Sequence, residues 1–379
     1  MTDLPPPLGL YVHWPYCARI CPYCDFNVAL DRRPGEAAAL AAAILKDLQA
    51  QAALIGPRTL VSVFFGGGTP SLMDPAWAAR IVEAARALWP AAPDLEATLE
   101  ANPTDAEAGR FAAFRDAGVN RLSLGVQALD DASLRFLGRN HGADEARRAA
   151  ATAAAVFPRL SLDLIYARPG QDEAAWTQEL KAALDLGAEH VSPYQLTIEA
   201  GTPFDRAVRR KVFAPADADL GARLYETTQA VLQDAGFHAY EVSNHARGPA
   251  ARSRHNLVYW RGQDYLGVGP GAHGRLTVGD ARVATETARA VPAYIARVRD
   301  GGTGIETRET LTPREAAEER LLLGLRVDEG VPLADLEPLS LIRLPNLAAD
   351  GFIRTAQGRL YATATGRPVL DRVIAELAF

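Results

Sequence analysis

The chain is poor in cysteine, lacks any long apolar run and carries no excess of basic charge. Each shortage removes a class of protein. Only three cysteines occur in 379 residues, Cys17, Cys21 and Cys24. An odd, clustered set with no partner elsewhere is not the disulfide framework of a secreted domain. No stretch of about 18 apolar residues appears, so no membrane span is expected. Met1 to Leu8 is polar and proline-rich, without the charged and apolar regions of a signal peptide, and a cytoplasmic location is expected. The net charge of −6 argues against a surface that holds nucleic acid through a basic field. At 48% apolar residues the chain is too hydrophobic for general disorder. Its length allows two domains, or one large domain with an appendage.

The first two thirds alternate short β-rich runs with longer amphipathic ones. Strands are expected at Leu10–His13, Leu60–Phe65, Leu95–Glu100, Arg121–Gly125, Arg159–Ile165, His190–Leu196 and Phe237–Val242. Helices are expected at Glu36–Leu54, Pro75–Trp89, Asp105–Ala117, Ala143–Val156, Glu173–Leu186 and Asp217–Ala235. Thr104 with Glu107 forms a capping-box pattern, and Gly118, Gly187 and Gly236 mark helix stops. Such alternation implies a parallel sheet covered by helices. About six βα units suggest a full or partial (β/α) barrel, with functional groups at the C-terminal ends of the strands.

The last third changes character. Thr312-Pro313 with Glu315 opens a helix. A second helix is expected near Leu339–Ala349, then a hairpin of Phe352–Thr355 and Arg359–Thr363 around Ala356-Gln357-Gly358, then a helix over Pro368–Leu377. Helices followed by a small hairpin suggest a winged-helix-like α+β module. From Thr312 onward there are eight Arg and no Lys against ten Asp plus Glu, so nothing there is built to meet phosphates. Packing against the main domain is the simpler role.

The cysteines lie in Tyr11-Val-His13-Trp-Pro-Tyr-Cys17-Ala-Arg-Ile-Cys21-Pro-Tyr23-Cys24-Asp-Phe26, directly after the first strand. Three thiolates at C-x3-C-x2-C spacing can hold three corners of a 4Fe-4S cluster and leave the fourth iron open to a ligand. The alternatives are a zinc site completed by a residue such as His13, or inert buried thiols. Phe65-Gly66-Gly67-Gly68-Thr69-Pro70-Ser71 ends the second strand, and its glycines either let the backbone approach a ligand or only form a tight turn. Glu100 ends the third strand, Gln127 follows the fourth, Arg139 lies in Leu137-Gly-Arg-Asn-His141, and Asp163 sits inside the apolar fifth strand. A carboxylate there is costly unless paired or functional. Structural pairing of Arg139 with Glu100 or Asp163 is the bland reading. The other is a cationic ligand that also carries a carboxylate for Arg139 to grip.

With these motifs in place, the chain resembles the radical S-adenosylmethionine (radical SAM) superfamily. In that superfamily the open iron chelates the amino and carboxylate groups of SAM, and one electron from the reduced cluster breaks a C–S bond to give a 5′-deoxyadenosyl radical. Tyr-x-His-x-Pro-x-Cys, GGGTPS, Glu-x-Asn-Pro, Gly-Val-Gln and Asp-Leu-Ile-Tyr narrow the resemblance, over about Leu10–Gly274, to the HemN/HemW group. The resemblance implies a partial (β/α)6-type radical SAM barrel over residues 1–290 and a HemN-type C-terminal domain over 291–379. It implies SAM contacts from Tyr11, Tyr23, Gly67, Gly68, Thr69, Glu100, Gln127, Arg139 and Asp163, with Thr197 and His273 near further contacts. The metal ligands it implies are Cys17, Cys21 and Cys24.

Three features favour the heme-chaperone branch of this group over the coproporphyrinogen III oxidases. The oxidases resemble C-x3-C-x2-C-x-C, and here the last position is Phe26. They also carry a long N-terminal arm, whereas nine residues precede the first expected strand here. Third, His255-Asn-Leu-Val-Tyr259-Trp260 matches the H-N-x-x-Y-W pattern of the chaperone branch, followed by Leu266-Gly-Val-Gly-Pro-Gly-Ala-His-Gly274. An imidazole such as His255 can be an axial heme ligand, with Tyr259 and Trp260 as an apolar wall; the alternative is a core histidine among packed aromatics. The implied function is binding of a 4Fe-4S cluster, SAM and heme, and delivery of heme to an acceptor protein, a respiratory-chain protein being the candidate, with an electron donor for the cluster and peripheral membrane contact. SAM cleavage is then regulatory or vestigial. The rivals are oxygen-independent coproporphyrinogen III oxidation or another tetrapyrrole-acting radical SAM reaction. One departure stands out: where the group reads Asp-Leu-Ile-Tyr-Gly-Leu-Pro-Gly-Gln, this chain has Ala167-Arg168 in place of Gly-Leu.

Overall fold

The strand β1 (Pro7–Trp14) buries residues on both faces, with Leu8, Leu10 and Val12 inaccessible to solvent. A strand buried on both sides belongs inside a sheet covered by helices. The computed structural model describes residues 5–30 and 33–378; Met1–Leu4, part of the segment read above as lacking a leader, lie outside the described residues. β2 (Thr59–Gly67), β3 (Ala91–Ala101), β4 (Arg121–Gln127), β5 (Arg159–Tyr166) and β6 (His190–Gln195) follow β1 in parallel and in chain order. Their C-terminal ends therefore lie along one edge of the sheet.

Helices α1 (Glu36–Ala52), α2 (Pro75–Leu88), α3 (Asp105–Ala108), α4 (Phe111–Asp116), α5 (Asp131–Phe136), α6 (Ala143–Val156), α7 (Glu173–Leu184), α8 (Pro203–Arg209) and α9 (Ala218–Asp234) occupy the connections. In α1, Leu40, Ile44 and Leu48 recur every four residues and are fully buried. Each contributes about 1.5–3 kcal/mol of apolar burial. The helix expected over Asp105–Ala117 is split in two. Glu107 turns away to accept from Ser71 Oγ and from the Asn102 N–H at 2.9 Å, and Arg110 donates to the Ser71 carbonyl at 2.7 Å. Thr104 does cap the first turn, its Oγ1 accepting from the Glu107 N–H at 3.2 Å.

The expected seventh strand is reduced to β7 (His238–Ala239), antiparallel to β8 (His245–Ala246) at the sheet edge. Tyr240 turns into a separate apolar cluster, and Glu241 accepts from the Ser243 N–H at 2.8 Å, closing a tight bend. After α10 (Arg254–Trp260) the sheet grows on the other side of β1. β9 (Asp264–Val268) runs parallel to β1, and β10 (His273–Val278), β11 (Ala281–Thr287) and, after α11 (Val291–Gly301), β12 (Ile305–Thr310) add antiparallel strands.

α12 (Pro313–Gly324) opens with the expected Thr312/Glu315 capping box. β13 (Val331–Pro332), α13 (Leu344–Ala349), β14 (Ile353–Ala356), β15 (Arg359–Ala362) and α14 (Leu370–Ala378) complete a small body with a three-stranded antiparallel sheet and its own core around Leu321, Leu336 and Leu360. The second helix is shorter than expected because Pro345 can sit only in its first turn. The junction expected at 290/291 falls inside the larger body, since α11 contributes Tyr294 and Val298 to its core and β12 pairs with β11; we place the break at Leu311–Thr312.

Candidate functional site

The C-terminal ends of the parallel strands surround a cavity of about 530 Å³ bordered by Cys17, Cys21 and Cys24. The same wall includes Tyr23, Gly67, Gly68, Thr69, Glu100, Gln127, Arg139, Asp163 and Thr197. Residues spread over nearly two hundred positions of sequence thus meet because parallel strands bring their ends to one edge.

The cysteine loop is held by backbone bonds from the Cys17 N–H to the Ala29 carbonyl at 2.9 Å and from the Cys24 N–H to the Cys21 carbonyl at 3.1 Å. The glycine-rich turn docks on it: the Gly68 N–H donates to the Trp14 carbonyl at 2.8 Å and the Thr69 N–H to the Tyr16 carbonyl at 2.9 Å. A Cβ at position 68 would lie 2.6 Å from the Pro15 carbonyl oxygen, and Gly67 has φ +110°. Both positions require glycine for this contact. The turn is therefore more than a connection, because it closes one side of the cysteine loop.

These residues fit a cluster better than zinc. Among the described residues no three His, Cys, Asp or Glu side chains converge on one point, as a mononuclear ion needs. A cubane instead takes its thiolates on separate irons. His13, the zinc alternative's fourth ligand, has Nδ1 bonded to the Tyr11 hydroxyl and Nε2 to the Asn27 carbonyl, both at 2.9 Å. Phe26, where a fourth cysteine would stand, is 63% exposed. Burial pushes the Cys17 thiol up and Cys24 to about 11, so loading the cluster displaces protons.

The opposite wall is anionic and incompletely partnered. Asp163 Oδ2 accepts from Ser123 at 2.8 Å, while Oδ1 is buried with no hydrogen-bond partner. Burial raises this carboxyl to about 6. Glu100 is raised to about 7 by burial and by Asp163, and accepts from the Gly67 N–H at 3.1 Å. Two half-buried carboxylates facing one cavity suit a ligand bearing an ammonium, a sulfonium or ribose hydroxyls. Arg139 pairs with neither of them. It donates to Cys21 Sγ at 3.2 Å, to the Tyr23 hydroxyl at 3.4 Å, to the Gly125 carbonyl at 3.3 Å and to Asn102 Oδ1. It thus bridges the cysteine loop to the ends of β3 and β4. Gln127 holds φ +65°, a conformation that side chains rarely adopt and that concentrates at ligand sites.

Not every expected residue joins this cavity. Tyr11 and His273 border an adjoining one, which shares Phe26, Gly67 and Glu100 with the first. His255 is 1% exposed and borders neither cavity; Nδ1 bonds Ser62 Oγ at 2.8 Å and Nε2 the Tyr259 hydroxyl at 2.7 Å. Burial lowers its pKa to about 3, so the ring is neutral. Tyr259 does form a wall, but Trp260 does not: its ring is covered by the Arg326 guanidinium at 5.0 Å, at the junction with the C-terminal body. Arg168 is also absent from both cavities. It is 5% exposed and forked onto Glu179 of α7 at 3.2 and 2.5 Å. Ala167 keeps the positive φ, +59°, that the usual glycine would hold without strain.

Asn102, Ser123 and Tyr194 also border the cavity, and the motif reading did not single them out as site residues. Asn102 links Arg139 to Thr69 through a 3.0 Å bond from its Nδ2. The expected strand over His190–Leu196 already carried the signal for Tyr194, since barrel chemistry gathers at C-terminal strand ends.

An open, mostly parallel sheet that presents three thiols and two half-buried carboxylates at its C-terminal edge defines a class, and comparison with known proteins agrees. The radical SAM superfamily model matches residues 11–183, and the HemN C-terminal domain model matches residues 311–369. Heme chaperone HemW of Mycobacterium tuberculosis (strain ATCC 25618 / H37Rv) is 37% identical over 375 residues, covering 98% of this chain and 95% of that protein. Radical S-adenosyl methionine domain-containing protein 1, mitochondrial, of Bos taurus is 44% identical over 328 residues, covering 85% and 74%. The solved coproporphyrinogen III oxidase (HemN) of Escherichia coli superposes with a TM-score of 0.81 over 99% of this chain and 90% of that one, at 22% identity, a likeness of fold. The chain belongs to the radical SAM superfamily and, within it, to the HemN/HemW family. The family implies a 4Fe-4S cluster and SAM. Among the described residues no helix is long and apolar enough to cross a membrane.

Proposed function

We propose that this protein takes up heme and passes it to an acceptor protein, with a 4Fe-4S cluster on Cys17, Cys21 and Cys24 and SAM in the adjoining cavity. The observation that carries the reading is the near full-length similarity to a protein named heme chaperone HemW, joined to Phe26 in place of a fourth cysteine. When bound, the cluster supplies an electron and an open iron site. Tyr23, Gly67, Gly68, Thr69, Gln127 and Thr197 shape the space next to it. Asp163 and Glu100 answer cationic and hydroxyl groups, and Arg139 orients the loop around Cys21. The acceptor we favour is a respiratory protein, reached from the cytoplasm by peripheral membrane contact, and the cluster requires an electron donor.

Anaerobically reconstituted protein tests this reading when incubated with coproporphyrinogen III, SAM and a strong reductant, and separately titrated with heme with and without SAM. Stoichiometric heme uptake and transfer to an apo-acceptor, without protoporphyrinogen, is expected. Turnover of coproporphyrinogen would establish the oxidase instead. Cys21→Ala should lose iron, sulfide and the visible absorption of the cluster; a full cluster in that variant overturns the ligand set.

A further inference from the structure

Asn102 sits where the chain leaves β3, between Ala101 and Pro103. The following proline disfavours helical backbone at this position, and the Asn102 N–H is tied to Glu107 Oε2 at 2.9 Å. Its side chain therefore starts from a fixed point on the cavity wall. We propose that Asn102 is a positioning residue for the cluster: it holds Arg139 and Thr69 as hydrogen-bond donors on two of the cysteine sulfurs and so raises the reduction potential. The proposal rests on the cluster reading above and names what tunes that cluster.

Both ends of the amide are engaged. Oδ1 accepts from Arg139 Nη2, and Nδ2 donates to Thr69 Oγ1 at 3.0 Å. A guanidinium can only donate, which fixes the end of the amide that is oxygen. Arg139 carries the chain onward to Cys21 Sγ, 3.2 Å from Nη1. Thr69 carries it the other way, since its hydroxyl hydrogen-bonds the Cys17 sulfur. Asn102 occupies the threonine oxygen as a donor, and a thiolate can only accept, so the hydroxyl proton is the one that faces Cys17. A single uncharged amide thus joins two ligand sulfurs, in the order Cys17, Thr69, Asn102, Arg139, Cys21.

Without Asn102 neither donor is fixed. Arg139 has no carboxylate partner among the described residues, its buried Nε has no hydrogen bond, and its contact with the Gly125 carbonyl is long at 3.3 Å. Thr69 is buried, and Asn102 supplies the donor to its oxygen. Donors aimed at thiolates favour the more negative, reduced form of a cluster, which raises its potential. Asn120, just before β4, offers a contrast, because its amide serves the backbone alone. Its Oδ1 accepts from the Ala97 N–H and its Nδ2 donates to the Leu95 carbonyl, both at 2.8 Å.

The test is a redox titration of the full-length, cluster-loaded protein, followed by electron paramagnetic resonance of the reduced cluster, with iron, sulfide and thermal unfolding measured alongside. SAM is left out, so that lost SAM contacts do not enter the reading. Asn102→Leu should keep the cluster and make its one-electron reduction about tenfold less favourable, a fall of about 59 mV, on the scale of one charged hydrogen bond. Thr69→Val should give a smaller fall, and Thr69→Ser, which keeps the hydroxyl, should return the wild-type value. The double variant Asn102→Leu/Thr69→Val should fall no further than Asn102→Leu alone, because both act on one chain of bonds. Asn120→Leu should unfold at a lower temperature with the potential unchanged. A wild-type potential in Asn102→Leu, an equal fall in Asn120→Leu, or full additivity in the double variant overturns the proposal while the cluster stands. Where Asn102→Leu loses the cluster, the threonine pair decides, and a wild-type potential in Thr69→Val overturns the proposal. Absence of iron and sulfide from the reconstituted wild type overturns the cluster reading and this one together.

Discussion

β3 carries two carboxylates on one face, Glu96 and Glu100, and the molecule treats them in opposite ways. Glu96, midway along the strand, is ion-paired with Arg159 at 2.7 Å and Arg121 at 3.7 Å and accepts from the His255 N–H at 3.1 Å. Glu100, four residues further on and so two repeats of the pleat, meets a single backbone N–H and the field of another carboxylate. A buried charge is tolerable when matched and costly when not. The contrast teaches which end of the sheet is structural and which is kept for a ligand. The same division separates His190, bonded on both ring nitrogens to Ser161 and Tyr240, from Asp163, whose Oδ1 has no partner.

The comparison is broken most directly by exchanging charge for amide at each end. Glu96→Gln should cost about 3–5 kcal/mol, because it leaves the buried Arg121 without a carboxylate and Arg159 with Glu189 alone, at 3.5 Å; urea unfolding measures it. Glu100→Gln should leave stability unchanged or slightly higher, since it relieves repulsion with Asp163, yet weaken SAM binding about tenfold or more, the value of a charged hydrogen bond. Equal stability losses for the two variants would erase the distinction.

A second break lies behind the cavity. Arg168→Leu, which restores the family's usual apolar residue, should destabilise by about 3 kcal/mol because Glu179 is left buried and unpaired. The double variant Arg168→Leu/Glu179→Leu should recover most of that loss, and cluster content should be retained in both. Loss of cluster binding with stability intact would mean that Arg168 faces the cofactor instead.

pH sharpens the contrast further. Glu100 and Asp163 titrate near 7 and near 6, above their ordinary values. At these two sites the folded chain therefore holds more protons than the unfolded one from about pH 4 to pH 7, and their contribution makes the cofactor-free protein less stable as pH rises across that window. A cationic ligand favours their ionised forms, so SAM affinity should rise between pH 6 and 7, with proton release seen by calorimetry in two buffers. Glu100→Gln should flatten that dependence. The smallest effect is expected from Ala167→Gly, which removes a left-handed alanine and should stabilise by about 0.5–1 kcal/mol in thermal unfolding.

Much of the frame was readable in sequence. The six parallel strands fell where apolar runs predicted them, because a doubly buried strand has no polar face to disguise it. The Thr312 capping box and the stop at Gly118 are contacts within a few residues and were equally legible. β9 was not read as a strand, since Gly267 and the glycines after it mask its propensity; it forms because β1 leaves an edge to be paired. The expected strand over Phe237–Val242 shrank because burying Tyr240 and bending around Glu241 displaced the ladder. At the site, the residues of the glycine turn and the strand ends line one cavity. The roles of Arg168, Trp260 and His255 depend on partners far along the chain, and no motif names those partners.

The sequence by itself determined the donor set: three thiols within one short loop, a phenylalanine where a fourth ligand would stand, and carboxylates within apolar strands. Spacing along a covalent chain is enough for that. Only the tertiary structure decided which of these groups are spent on each other and which face open space. Ser62 and His255 are 193 residues apart in sequence yet 2.8 Å apart in the fold. Hydrogen bonding and desolvation act through space, so the partners that hold the His255 ring in the folded chain are ones its local motif does not name.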